Sequence, residues 1–366
     1  MKTSKVAVFH GHGRQFTMET VPVPPLREGE ILVRNEYTTL CRSDLHTFSG
    51  KRTEKTPTIL GHEVVGVIEE LAPGSPAKDC RGAELRAGHR VSWAIYAANP
   101  DSRLSRLGIP QKAPDVFKYG HEQIKPDSTL HGGLAEYCIL RRHTPVIRID
   151  ALIPLPLVAL LNCSFATVAG SLRLAGPVLE RTVVIAGAGM LGIIACAMCK
   201  CAGARRIAAL DIDDERLAIA KRFGADSTAN LKSGGLPVVE KLAADLRREP
   251  VMIGLDYSGA PEAMETLLGL LGVGGTAVLV GATFPQRPLA INAEQLVRNV
   301  QTVRGLHNYN EQDFIAAVCF LEQHHARFPF ADLVHDKFDL ETVTEAFDYG
   351  IKSNAYRVGV CIGRSR

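Results

Sequence analysis

Near its start the chain carries Cys41-Arg42-Ser43-Asp44-Leu45-His46, and twenty residues later Gly61-His62-Glu63. A thiol, imidazoles and carboxylates thus fall close together. Thiolate and imidazole are the donors that a borderline-soft metal such as zinc prefers. A further thiol, Cys163, lies far downstream, and the glycine-rich run Gly187-Ala188-Gly189-Met190-Leu191-Gly192 follows soon after it. Taken singly these residues prove little: a lone Cys41 reads as a core thiol, and a lone His62 decides nothing. Together they describe a soft-metal site followed by a dinucleotide loop.

Gly187, Gly189 and Gly192 fit the pattern G-x-G-x-x-G. A bare match is weak, but here the run follows an apolar strand, TVVIA, and opens an apolar helix. The next strand ends at Asp211, nineteen residues after Gly192. In that setting glycines let the backbone approach a pyrophosphate, the helix N-terminus stabilises its charge, and the acid accepts the adenine-ribose hydroxyls. A carboxylate there repels a 2′-phosphate, which favours NAD over NADP. Met190 and Leu191 in the turn and Arg216 on the following helix complete the expected cofactor contacts. Asp213 and Asp214 read as helix-capping residues. The competing reading is a dinucleotide-type sheet that binds nothing.

The elements that must position these groups fall into two patterns. Residues 5–9 (KVAVF), 30–35 (EILVRN), 63–71 (EVVGVIEEL), 90–93 (RVSW) and 132–140 (GGLAEYCIL) read as short strands, with a proline-rich turn at Pro22, Pro24 and Pro25. They predict a small β-barrel-like first domain. Residues 94–130 interrupt it with a polar lobe of little periodicity. From about residue 152 the pattern changes. LVALLNCSFATVAGSLRLAG reads as helix, TVVIAGAG as buried strand, MLGIIACAMCKCAGA as helix and RIAALDID as strand. DERLAIAKRFGA follows as a helix closed by Gly224, and then come GLDYSG, EAMETLLGLL and GGTAVLVGA. This alternation predicts a doubly wound parallel sheet. After residue 310 two helical stretches, QDFIAAVCFLEQH and LETVTEAFDYGI, precede a strand, YRVGVCI. That strand lacks a βαβ continuation and is read as returning to the first domain.

Bulk properties narrow the function classes. The 366 residues are 46% hydrophobic and 22% charged, which is ordinary for two globular domains. With a net charge of only +3 and scattered basic residues, neither nucleic acid nor an anionic membrane is expected as a partner. The first residues hold an apolar run of only four, too short for a signal peptide. The greasiest run, Val183 to Cys199, carries three glycines and falls short of a membrane span. Nine cysteines, an odd and unevenly spread set, argue for reduced thiols and a cytoplasmic location rather than a disulfide framework. Cys196, Cys199 and Cys201 read as core thiols of the helix after the glycine turn.

Five segments carry a family resemblance: CRSDLH at 41–46, GHE at 61–63, GGLAEY at 132–137, the cysteine at 163 and GAGMLG at 187–192. In order and spacing the chain resembles the zinc-dependent medium-chain alcohol dehydrogenases over essentially its whole length. The resemblance implies an α/β fold: a GroES-like β-rich catalytic domain at 1–163 and 310–366, and a Rossmann-type NAD-binding domain at 164–309. It makes Cys41, His62 and Cys163 the ligands of a catalytic zinc with an open fourth position. It makes Asp44 the carboxylate that orients the histidine, and Glu63 a neighbouring acid or transient alternative ligand. Ser43 and His46 become the proton relay, through the cofactor ribose to solvent, and Arg42 a contact to the cofactor pyrophosphate. It also implies a homodimer or homotetramer acting on a small alcohol or aldehyde.

The chain departs from the family in one lobe. Many members hold a second, structural zinc with four cysteines. Counting back from GIPQKA at 108–113 puts Asn99, Ser102, Ser105 and Ala113 at those positions. An amide, hydroxyls and a methyl cannot replace four thiolates, so one zinc per chain is expected, with Tyr96, Leu104, Leu107 and Ile109 packing the lobe instead. GIPQKA, KYGHE around His121, and His307-Asn308-Tyr309 also resemble a subgroup associated with phosphonate catabolism, for whose anionic substrate Arg298 and Arg304 are candidates. Two other readings stand beside this one: a zinc-free quinone or enone reductase of the same superfamily, and a non-catalytic dinucleotide-binding protein.

Overall fold

The structure, a computed structural model, describes residues 2–126, 128–246 and 249–363. The chain divides into two units. One comprises 1–166, 310–325 and 329–366, the other 167–309 and 326–328.

The first unit is built on a sheet in which Ile31–Leu40 pairs antiparallel with Glu63–Leu71, Tyr137–Leu140 and Arg357–Cys361. Arg90–Trp93 and Val146–Arg148 extend one side, and Val334–Asp339 the other. The terminal strand therefore belongs to this unit, with Val358 opposite Leu40 and Cys361 opposite Tyr37. Apolar side chains from alternate strand positions meet in its core, where Phe16 packs against Phe9, Phe48 and Phe347 with ring centroids 4.9–5.6 Å apart.

Three details differ from the sequence reading. Thr17–Pro22 is a strand paired with Thr3–Val8. It lacks an apolar period because five of its six residues are exposed. The polar lobe contains a short hairpin, Tyr96–Ala97 with Phe117–Lys118. Of GGLAEYCIL only Tyr137–Leu140 is strand. The glycines before it instead let the chain cross under the 59–61 segment, where the Gly133 and Leu134 amides donate to the Gly61 and Leu60 carbonyls.

The expected helix around Cys163 is interrupted. Leu155–Ala159 and Ala166–Ala175 are α-helical, but Leu161–Phe165 between them makes a π-helical turn. The run Leu155–Ala175 is long and apolar enough by composition to cross a membrane, yet 72% of its most apolar window is buried inside the protein.

The second unit is a six-stranded parallel sheet in the order Ser227–Asn230, Arg206–Asp211, Thr182–Ala186, Val251–Asp256, Leu271–Leu279 and Thr302–Gly305. That order, with the first strand of the unit third from one edge, is the Rossmann arrangement, and its ligand crevice lies beyond the carboxyl ends of the strands. Strand 182–186 is buried at every position. It is covered on both faces, which explains its unbroken apolar run.

Candidate active site

Cys41 sits at the junction between the strand Ile31–Leu40 and the short helix Arg42–Phe48. Asp44, at the third helical position, closes that junction by accepting the Cys41 amide at 2.9 Å. His62 follows Gly61, whose φ of +88° a side chain would strain. Cys163 lies within the π turn. An inserted residue rotates every later side chain relative to α-helical spacing, which is how π turns re-aim functional groups.

These three residues converge. Their ligand atoms all lie within 4.8 Å of one another, and the two sulfurs are 4.0 Å apart. Two Zn–S bonds of about 2.3 Å at a tetrahedral angle require sulfurs roughly 3.8 Å apart, so the donor set fits a zinc ion. His62 Nδ1 lies 3.3 Å from Asp44 Oδ1, off the line of a good hydrogen bond. Engaging Nδ1 in this way leaves Nε2 for a metal.

Electrostatics support the same reading. The Cys41 thiol is held well below the usual range, first by its bond to Cys163 and then by the Arg357 guanidinium and His62. Cys163 is pushed up by the same bond and by burial. Burial pulls His62 down, but Asp44 and Cys41 outweigh it and raise it well above its ordinary value. A metal would displace those protons, since it binds thiolate and neutral imidazole.

Glu63 lies beside the triad with both oxygens engaged. Oε2 accepts from Thr39 Oγ1 at 2.7 Å and Arg357 Nε at 2.7 Å. Oε1 accepts from Ser164 Oγ at 2.9 Å and Arg357 Nη2 at 3.0 Å. Sequence reasoning missed Arg357, Ser164 and Thr39. The available signal was the arginine itself, a single charge opening the otherwise apolar YRVGVCI strand.

Ser43 and His46 lie three apart on the helix 42–48, on one side of it, and both are half-buried; Arg42 is exposed. Burial, then Arg42 and Lys51, hold His46 below its usual value. His121 donates to or accepts from Glu54 at 3.0 Å and lays its ring 4.9 Å from that of His62. The hydrogen-bonding role read from the sequence is thus present, and it buttresses a candidate ligand.

In the lobe, three of the four positions matching the missing cysteines, Asn99, Ser102 and Ser105, hold each other. Ser102 Oγ caps the helix Arg103–Arg106 by accepting the Ser105 amide at 3.1 Å. Ser102 Oγ also donates to Ser105 Oγ at 2.8 Å, which donates to the Asn99 carbonyl at 2.7 Å. Tyr96 is buried, but Leu107 and Ile109 are 65% and 40% exposed and do not pack the lobe as expected. A short helix cannot turn every apolar residue inward, and hydroxyl bonds fasten its first turn. The two arginines considered for an anion both lie in the second unit. Arg298 pairs with Glu294 at 2.7 Å, and Arg304 donates to the Leu174 carbonyl. Of the triplet after the last strand of the second unit, Tyr309 is fully buried and Asn308 has a φ of +61°.

In the second unit the three glycines of the turn have separate tasks. A Cβ on Gly187 would meet Ser258 N at 2.6 Å, and one on Gly192 would come within 1.9 Å of the Gly187 carbonyl oxygen. Both allow chain to pack on chain. Gly189, the N-cap of helix Met190–Cys201, faces open space, with Arg216 Nη1 at 3.7 Å as its nearest neighbour. That is the cradle a pyrophosphate needs. Met190 is buried behind the turn and Leu191 is half-buried. Asp211 Oδ2 accepts the Ala188 amide at 2.6 Å, while Oδ1 accepts the Ile212 and Asp213 amides. The acid therefore ties the strand end to the glycine turn. Asp213 caps the next helix, as expected.

Residues 27–151 match the family described as the alcohol dehydrogenase GroES-like domain, and residues 191–323 that described as zinc-binding dehydrogenase. The chain is 30% identical to an L-threonine 3-dehydrogenase of Xanthomonas oryzae pv. oryzae over 79% of its own length and 80% of the relative's. It is also 30% identical to an alcohol dehydrogenase class-3 of Oryza sativa subsp. japonica, over 81% and 80% of the two chains. A crystal structure of an alcohol dehydrogenase from Thermotoga maritima superposes with a TM-score of 0.91, covering 99% and 100% of the chains at 23% identity.

Proposed function

The chain belongs to the zinc-dependent medium-chain alcohol dehydrogenase family, and from that premise we propose an oxidoreductase that moves a hydride between a small polar alcohol, or its aldehyde, and NAD. The convergence of Cys41, His62 and Cys163 carries this reading. It also separates it from a zinc-free reductase and from a non-catalytic binding protein, neither of which needs three such donors together.

The residues divide the work. Zinc, when bound, is a Lewis acid that makes an alcohol oxygen easier to deprotonate or a carbonyl easier to attack. Cys41, His62 and Cys163 hold it, and Asp44 sets the histidine's orientation. Ser43 takes the substrate's hydroxyl proton, and His46, three residues along the same helix, accepts it toward solvent. The Gly187–Gly192 turn with Arg216 receives the cofactor's pyrophosphate, and Arg42 adds a positive charge for it. Asp211 receives the adenine ribose, which disfavours a 2′-phosphate.

The loop on His62 supports a reading of the substrate class. Gly120 of KYGHE packs on Gly61 and His62, so close that a Cβ there would lie 2.7 Å from the Gly61 oxygen. Lys118 on that loop is half-buried and makes no ion pair among the described residues. Burial, then Lys112 and Arg52, depress its ammonium. A half-buried lysine in that state regains its charge most readily beside an anion, and we read the substrate as a small alcohol bearing a phosphonate, phosphate or carboxylate.

The protein is read as a cytoplasmic homodimer or homotetramer, with the edge strand Thr302–Gly305 and the exposed Val273, Val297 and Val300 near it as the contact to test by light scattering. The functional test is NAD reduction by hydroxyalkylphosphonates, hydroxy acids and neutral diols. Turnover that is lost in Cys163→Ala supports the proposal. NAD-independent or zinc-independent turnover would overturn it.

A further inference from the structure

His121 lies against the candidate ligand His62, and two cations reach it from different segments of the chain. Its ring is 4.9 Å from that of His62, and its Nδ1 bonds Glu54 Oε1 at 3.0 Å. Arg52 Nη2 pairs with the same Glu54 oxygen at 2.7 Å, and the Arg52 amide donates to the His46 carbonyl at 3.1 Å. Arg52 is therefore tied both to the helix that carries Ser43 and His46 and to the histidine beside His62. No other described residue receives a bond from its side chain, which keeps 34% of its surface exposed. The second cation, Lys118, opens the turn that ends at His121, where the His121 amide donates to the Lys118 carbonyl at 3.3 Å. Lys118 lies opposite Tyr96 in the lobe's hairpin, and its ammonium makes no ion pair among the described residues. Burial first, then Lys112 and Arg52, hold it below its ordinary value, while Glu54 and Glu122 pull the other way.

We propose that Arg52 and Lys118 are the two sides of one subsite for a tetrahedral dianion on the substrate, a phosphonate or a phosphate ester in preference to a carboxylate. This rests on the dehydrogenase reading above and narrows its substrate class. A carboxylate has two oxygens, and the fork of one guanidinium takes both. A phosphonate or phosphate has three, so two can face the Arg52 fork while the third faces the Lys118 ammonium. Two charges on the ligand also match two cations, whereas a carboxylate leaves one of them uncompensated. Glu54 engages Arg52 through Nη2, so the remaining guanidinium N–H groups can bind an anion without Arg52 leaving its carboxylate. Because His121 lies against His62, the subsite suits an alcohol whose hydroxyl and anionic group are separated by a short carbon chain.

The test is a series of alcohols of equal chain length ending in a neutral hydroxyl, a carboxylate, a phosphonate and a phosphate ester. The full-length protein oxidises them with NAD at a pH where the last two carry two charges. The wild type is expected to favour the dianions over the carboxylate in kcat/KM by about tenfold, the worth of one charged hydrogen bond, and over the neutral diol by more. The larger of the two dianion values identifies whether carbon or ester oxygen joins the phosphorus. Arg52→Gln and Lys118→Met are each expected to lower the phosphonate-to-diol ratio of kcat/KM by about tenfold, and the ratio cancels general damage to the site. Glu54→Gln keeps an acceptor for Arg52 and His121 but removes a repelling charge, so it is expected to raise the ratio. If Arg52 only braced Glu54 and His121, Glu54→Gln would lower the ratio as Arg52→Gln does, or neither would move it; either result overturns the proposal. Should Lys118→Met fail to fold, Arg52→Gln and Glu54→Gln still decide. Neutral diols oxidised as efficiently as the dianions overturn this proposal alone. Absence of NAD-dependent oxidation of every member overturns the dehydrogenase reading and this proposal with it.

Discussion

His131 makes the protein acid-sensitive by an amount the structure sets. The side chain is 1% exposed, and neither ring nitrogen has a hydrogen-bond partner among the described residues. Burial is the main cause that pushes its imidazolium down to about 4, and Arg141 and His121 add repulsion. In the unfolded chain the group returns to about 6.5. Between those values the unfolded state binds more protons than the native one, so stability rises with pH across this window. Its contribution is fully present above pH 6.5 and is lost as pH falls toward 4. The ceiling is about 3 kcal/mol, from roughly 2.5 pKa units at about 1.4 kcal/mol each, and the loss between pH 7 and pH 5 is about 2 kcal/mol. The perturbation is His131→Phe, an apolar ring of similar size beside Phe117, whose ring centroid is 6.1 Å away. Urea unfolding of both proteins at pH 7 and pH 5 gives the assay, because the difference between them cancels every other titrating group. The variant should lose about 2 kcal/mol less than wild type over that interval. Equal losses, or a His131 resonance titrating near 6.5 in the folded protein, would refute the reasoning.

Other expectations follow from the site. His46 accepts a proton only when neutral, and its surroundings hold it below 6.5, so the acid limb of alcohol oxidation should lie below pH 6.5. His46→Gln should remove that limb and lower kcat at pH 7 by about tenfold to a hundredfold; an unchanged profile counts against the relay. Asp211→Ala should lower kcat/KM for NAD by about tenfold and raise that for NADP. Asp211→Asn can accept at only one of the two oxygens that Asp211 uses for backbone amides, so Asp211→Glu, which keeps both, serves as the control. Ser102→Ala removes the helix cap of the cysteine-free lobe. Amide exchange at 99–113 should quicken by about fivefold, equivalent to roughly 1 kcal/mol, whereas unchanged exchange would mean that the hydroxyls do not fasten the lobe.

The sequence was most legible where one period dominates. The buried strand 182–186, the glycine turn and the helix after it announce a parallel sheet because full burial on both faces leaves only apolar residues. The strands 63–71 and 90–93 were readable for a similar reason. Thr17–Pro22 was invisible because an exposed strand needs no apolar alternation. The π turn at Cys163 was invisible too, since local periodicity cannot report one inserted residue. Cys41, His62 and Cys163 could be named from their types and a family resemblance, while their convergence could not be computed from spacing alone. Arg357 escaped because its partners come from strands and a turn distant in sequence, 294 residues away in the case of Glu63. Leu107 and Ile109 show the opposite error: apolar type suggested burial, and the four-residue helix they follow leaves them at the surface.

The most direct test is the zinc content of the full-length protein purified without chelators, measured by elemental mass spectrometry beside Cys163→Ala. One zinc per chain is expected in the wild type and none in the variant. Two zincs would contradict the reading of Asn99, Ser102, Ser105 and Ala113 as a metal-free lobe. No zinc in the wild type would contradict the central claim that Cys41, His62 and Cys163 form a catalytic metal site.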